Sequence, residues 1–158
     1  MTESIINGEM KVRVPDGFEI MDAETLKEAY MDDNPDRWGI RDRERHIVIS
    51  VFYHRSSTAL VKLAGNAGAV AKSTQSKLKK GLRKYAYSFG KYFDCTAGDL
   101  KASGFTYEYE LKGIRQRAET VVAIKGSCCY TFYYYARKDG SPEDRRLFED
   151  FLGSVSFI

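Results

Sequence analysis

The sequence is poor in most of the features that announce a function. It has three prolines and three cysteines in 158 residues, too few for a proline-rich linker or a disulfide-stapled scaffold. Cys95, Cys128 and Cys129 show no Cys-x-x-Cys spacing, which removes the common zinc and dithiol motifs. No apolar run approaches the roughly 20 residues that a membrane-spanning helix needs. The start, MTESIINGEM, lacks a basic region, an apolar core and a lipid-attachment cysteine, so neither a signal peptide nor an anchor is read there. Cytoplasm, with reduced thiols, is the expected compartment. There is no Gly-x-Ser-x-Gly elbow, no glycine-rich phosphate loop and no paired-carboxylate motif, and no enzyme is expected.

Histidine is scarce too. His46 and His54 fall on one face of one expected strand, but eight residues of extended chain separate them by roughly 27 Å. They cannot share a metal ion. Cys128 and Cys129, adjacent in another expected strand, should point to opposite faces. Joining them to each other or to a metal would need a distorted backbone, so they are read as buried, inert thiols. No metal and no cofactor is expected.

The most informative absence is acidic charge. Between Glu44 and Asp94 there is no Asp or Glu, while the same stretch carries ten Lys and Arg. The net charge of the chain is +3, which leaves −7 for everything outside that stretch. A modest total therefore hides a polarised molecule with a basic middle, which bears on partners rather than on fold.

What is present describes one domain, residues 1–158. Composition is ordinary for a globular chain, with 43% hydrophobic and 30% charged residues, so disorder is excluded. Met10 to Val14 alternates as a strand, Asp16-Gly17 turns, and Phe18 to Met21 is extended. Asp22 caps a helix running to about Met31, and Asp32 to Pro35 ends it. Trp38 to Arg41 and His46 to Tyr53 read as a hairpin. From Thr58 to Lys84, Leu60, Leu63, Ala64, Ala67, Val70, Ala71, Thr74, Leu78 and Leu82 form one helical stripe. Ser56 or Ser57 is the expected N-cap, with a kink or break near Gly65 to Gly68.

The rest reads mainly as β. Tyr85, Tyr87 and Phe89 alternate, Gly90 breaks the run, and Cys95 to Leu100 reads as a loop. Lys112-Gly113 has the chemistry of a two-residue hairpin turn. That register sets Glu110 opposite Arg115 and Glu108 opposite Arg117 on one face, with Tyr109 facing Gln116 and Tyr107 facing Ala118 on the other. A second turn at Lys125 to Ser127 has two- and three-residue versions that reverse the faces of Cys128 to Ala136, and both stay open. Ser141-Pro142-Glu143-Asp144 starts a helix with Leu147, Phe148, Phe151 and Leu152 as its apolar face. Gly153 ends it before a short strand with Val155 and Phe157. The order of elements implies an α+β domain, an antiparallel β-sheet with helices packed on its faces.

Two segments carry a resemblance. VRVPDGFEIM runs a strand into Pro-x-Gly-Phe, and YTFYYYAR leads to SPEDRRLFEDFLGSVSF, a helix closing on a Ser-x-Ser-Phe strand. With these the chain resembles the Mog1/PsbP-like family, including its uncharacterised bacterial members. The resemblance implies an α/β/α sandwich and a non-enzymatic accessory role, since known members bind a small GTPase or a photosystem. Bacterial relatives often look like lipoproteins, and this chain departs from them by lacking the lipid-attachment cysteine.

Two surfaces are candidates. Lys72, Lys77, Lys79, Lys80, Arg83 and Lys84 fall on the helix half opposite the apolar stripe and would contact an acidic protein partner. The bland reading is a solvated helix face, part of it neutralised within the molecule by the acidic turn Asp32 to Asp36. Nucleic acid is disfavoured because the face is mostly Lys, whereas phosphate-contacting surfaces bring Arg and aromatics together. The Ala/Leu stripe suits a sheet better than acyl chains. The other candidate is a tyrosine-lined sheet face, with Tyr107, Tyr109, Tyr133 and Tyr135 as a platform for a small ligand or an enzyme's substrate. Core packing is its bland reading. Oligomeric state is left open.

Overall fold

The computed structural model describes residues 2–30, 35–55 and 67–158. A seven-stranded antiparallel sheet is its frame, with strand order β3-β4-β5-β9-β8-β7-β6. These strands are β3 (Glu19–Ile20), β4 (Arg37–Asp42), β5 (Ile47–Arg55), β6 (Ser88–Ala97), β7 (Leu100–Leu111), β8 (Ile114–Lys125) and β9 (Cys128–Arg137). A second sheet, in the order β1-β2-β10, is built from β1 (Thr2–Ile6), β2 (Met10–Val14) and β10 (Ser156–Phe157). The described helices are α1 (Ala23–Tyr30), α2 (Ala67–Gly81) and α3 (Asp144–Gly153).

The turns explain the register. Lys112 (φ 52°) and Gly113 (φ 79°) both lie in the left-handed region, as a two-residue type I′ turn requires. Leu111 then pairs with Ile114, Glu110 with Arg115 and Glu108 with Arg117, the register read from the Lys-Gly dipeptide. The ion pair that forms is diagonal, with Arg115 Nε 3.2 Å from Glu108 Oε1, while Arg117 donates to the Ser141 carbonyl. Lys125 pairs with Cys128, so the second turn is the two-residue Gly126-Ser127. This puts Cys128, Tyr130, Phe132, Tyr134 and Ala136 on one face of the sheet, and Cys129, Thr131, Tyr133 and Tyr135 on the other.

Each face has its own core. On the first, Ile40, Ile49, Val51, Val121, Phe132 and Tyr134 meet Met10, Val12 and Val14 of the small sheet and Phe148, Phe151 and Leu152 of α3. On the second, Phe105, Tyr107, Ala118, Val122 and Cys129 lie under α2, which contributes Ala71 with Val70 and Leu78, and Leu82 just after the helix joins them. Helices thus cover both faces, and a three-stranded sheet shares one of them with α3.

Several expectations are corrected. Gly90 does not end a strand. It lies inside β6, at a register shift between Phe89 and Tyr92. Cys95 to Leu100 is no loop either, because β6 runs to Ala97 and β7 resumes at Leu100. His46 belongs to the turn before β5, with φ 57°, and so shares no strand face with His54. α3 starts at Asp144 rather than at Pro142, and the Ser141 hydroxyl accepts the N–H of Glu143 just before it. β1 went unread because only Ile6 of its five residues is buried. Asp22 does cap α1, accepting the Thr25 N–H at 2.8 Å. The N-cap expected at Ser56 or Ser57, the break near Gly65 and the turn residues Asp32 to Asn34 lie outside the described residues.

Candidate functional site

α2 sits over β7 and β8 and reaches β6. Its inner side is small and apolar because it must approach a sheet already crowded with rings. Ala71 is buried against that sheet, Gln75 Nε2 donates to the Tyr87 hydroxyl at 3.2 Å, and Thr74 bonds the Val70 carbonyl. The outer side carries Lys72, Lys77, Lys79 and Lys80, followed by Arg83 and Lys84 in a 3-10 turn (Arg83–Tyr85). All six are exposed. None forms an ion pair with a described residue.

Some charges elsewhere are matched. Glu19 accepts from Arg41 and Arg43, and these two bonds, Arg41's foremost, hold its carboxyl below the usual range. Glu108 accepts from Lys138 at 3.0 Å and from Arg115. Lys79 and Lys80 occupy the last turn of α2, where cations complement the helix dipole. That accounts for their placement on the helix but supplies no counter-charge for the patch. Lys72 lies on the β6 side, its Nζ 6.0 Å from the centre of the Tyr92 ring.

The tyrosine face is mostly interior. Tyr107 is 2% exposed and its hydroxyl meets Thr120 Oγ1 at 3.0 Å, so it is core rather than platform. Tyr109, Tyr133 and Tyr135 are half-buried and packed ring against ring, with Tyr133 and Tyr135 stacked at 6.1 Å and Tyr109 edge-on to Tyr135. Tyr30 of α1 joins them and carries the Arg37 guanidinium 3.8 Å above its ring. Burial pushes the Tyr133 hydroxyl up to about 12 and Tyr107 and Tyr135 well above their ordinary value. These phenols stay neutral at any physiological pH.

A polar cluster on the other face was missed by sequence reasoning. Glu119 of β8 is 5% exposed and accepts from Arg145 Nε at 2.5 Å and Nη2 at 3.0 Å. Arg145 also pairs with Glu149. A groove of about 390 Å³ beside them is lined by Thr106, Glu108, Arg117 and Tyr134 among others. The signal available was the Lys-Gly register, which already aligned Glu119 with Val121 on one side of β8. A carboxylate on a core face needs a partner. Being internally neutralised, the Glu119–Arg145 pair fastens α3 to the sheet.

The thiols lie apart. Cys128 and Cys129 belong to the two opposite cores, and burial raises Cys95 and Cys129 to about 11. Among the described residues no group of three or more His, Cys, Asp or Glu could hold a metal ion, and no described helix is long and apolar enough to cross a membrane.

No family model matches the sequence, and no curated protein does. Solved structures do match. A protein from Bacteroides thetaiotaomicron superposes with a TM-score of 0.60 at 9% identity over 98% of this chain, which spans 47% of that protein's length. Cyanobacterial PsbP (CyanoP) from Synechocystis gives 0.65 at 15% identity, covering 94% of this chain and 86% of its own. The Ran-binding protein Mog1p of Saccharomyces cerevisiae gives 0.58 at 8%, covering 99% and 95%. At such identities the likeness carries the fold alone. The chain has the Mog1/PsbP-like fold.

Proposed function

We propose that this protein is a non-enzymatic binding or accessory factor that docks an acidic partner on the outer face of α2. The observation that carries the reading is the row of exposed cations Lys72, Lys77, Lys79, Lys80, Arg83 and Lys84, with no ion-pair partner among the described residues. Acidic residues are absent from the whole stretch between Glu44 and Asp94, so none lies on α2 itself. At about 0.15 M salt that field reaches roughly 8 Å, enough to steer encounter but not to hold a complex alone. The fold supports the reading in kind, since Mog1p is by name a Ran-binding protein. On this reading 1–158 acts as one domain in the cytoplasm, where three unpaired thiols are at home.

The test is affinity capture from an extract of the native organism, comparing wild type with the Lys79→Glu, Lys80→Glu, Arg83→Glu variant. An acidic protein should be retained by the wild type and lost by the variant, chiefly through a slower on-rate. A partner held equally by both would overturn the proposal.

A further inference from the structure

One side of α2 looks onto an open sheet edge. β6 is the last strand of the seven-stranded order and, among the described residues, pairs only with β7. The opposite edge, β3, is two residues long, whereas β6 runs for ten and nearly all of them are exposed or half-exposed. After the irregularity at Gly90, register is regular from Tyr92, opposite Phe105, to Ala97, opposite Leu100. Along these six residues of regular edge strand every second one points its backbone N–H and C=O outward, a template for another strand.

The surroundings say which strand. Phe89 and Tyr92 are 40% and 43% exposed and pack on each other with ring centres 4.9 Å apart. Tyr92 pairs with Phe105, a residue of the α2-side core, so its ring stands on the sheet face that α2 covers. Lys72 overhangs that ring, and Lys79 follows seven residues later on the same side of the helix. Lys91 lies in the irregular stretch of β6 itself. The acid on this strand, Asp94, bonds Ser103.

We infer that the β6 edge and the Lys72–Lys79 side of α2 form one groove that takes an extended acidic segment of the partner as an eighth strand. The inference rests on the proposed function and names the partner's shape and chemistry. Backbone hydrogen bonds to Tyr92–Ala97 supply affinity, and alternate side chains supply specificity. Those on the α2 side meet Lys72 and Lys79 as carboxylates, and the intervening apolar residues lie on the other face of the sheet, beside Phe93 and Cys95. A second copy of this chain does not fit the site, since pairing two β6 edges turns two lysine rows towards each other.

The test uses the full chain and a fluorescein-labelled octapeptide alternating Glu with Val and Phe, read by anisotropy at about 50 and about 150 mM salt. Two twins are N-methylated at odd or at even positions, and a third replaces Glu by Lys. We expect the Glu peptide to bind and one N-methylated twin to weaken by about tenfold or more while the other does not, because pairing uses alternate amides. The Lys peptide should fail, and Lys72→Glu with Lys79→Glu should weaken the Glu peptide by about tenfold. Amide NMR shifts should centre on Tyr92–Ala97. Equal binding by both methylated twins would overturn strand addition while leaving the acidic-partner proposal standing. No binding by the Glu peptide, equal binding by the Lys peptide, or self-association through β6 would each overturn the inference. Capture lost in the Lys79, Lys80, Arg83 variant would still support the proposed function.

Discussion

Replacing Gly90 by alanine probes the irregularity that shapes the β6 edge. A Cβ at this position would stand 2.1 Å from Thr106 Oγ1 and 3.0 Å from the Thr106 carbonyl oxygen. Gly90 is not among the residues with positive φ, so alanine meets no backbone strain and the whole cost is contact. The hydroxyl must rotate away, which breaks its bond from the Lys91 N–H at 3.1 Å, a loss of about 1 kcal/mol. The remaining crowding against the carbonyl adds about 1–2 kcal/mol. Together, about 2–3 kcal/mol should lower the melting temperature by roughly 4–12 °C for a chain of this length. The decisive measurement is a double-mutant cycle by urea unfolding, with Thr106→Ala as the second change. Thr106→Ala already lacks both the obstructing oxygen and the hydrogen bond, so Gly90→Ala should cost at least about 1 kcal/mol less in that background. Equal costs in the two backgrounds would refute the contact as the reason for glycine.

Other outcomes follow from single contacts. Lys79→Glu, Lys80→Glu, Arg83→Glu should cost no more than about 1–2 kcal/mol, the lost complement of Lys79 and Lys80 to the helix dipole, since the three groups are exposed; unfolding of this variant would make them structural. Tyr107→Phe should destabilise by about 1 kcal/mol because it strands the buried Thr120 hydroxyl, whereas Tyr134→Phe, whose buried hydroxyl makes no well-formed hydrogen bond with the described residues, should cost less by the urea assay. The Glu108 carboxyl is held below its ordinary 4.5, by the Lys138 bond first and by Arg115 against the opposing effect of burial. Its contribution is therefore complete above that value and lost as pH falls through the lowered one. The melting-temperature gap between wild type and Glu108→Gln should accordingly narrow between neutral pH and about pH 3, and a constant gap would contradict the pairing. Thiol titration should find three reactive cysteines in the unfolded, unreduced chain and slow reaction in the folded one, where burial raises Cys95 and Cys129 to about 11; one thiol after unfolding would show a disulfide.

The amino-acid sequence by itself determined the features that depend on neighbours along the chain. The Lys112-Gly113 turn set the register of β7 on β8 through its own backbone geometry, and Asp22 marked the start of α1 through a bond three residues long. The polarity of α2 was legible because a helix repeats every 3.6 residues wherever it is packed. Tertiary structure alone decided what depends on distant segments. It laid β9 beside β5, seventy and more residues away in sequence, which made β6 an edge. It chose which face of β9 meets α3, since two turn lengths were chemically equivalent on paper. It joined Glu119 to Arg145 across 26 positions, and it turned the apparent break at Gly90 into a bulge inside β6, because Thr106 of β7 occupies the space a side chain would need. Lysines can be read as one-sided from spacing, but only packed coordinates show that no described carboxylate reaches them. Turn geometry and helical period are local, while pairing, burial and charge compensation are set by which distant residues the core brings together.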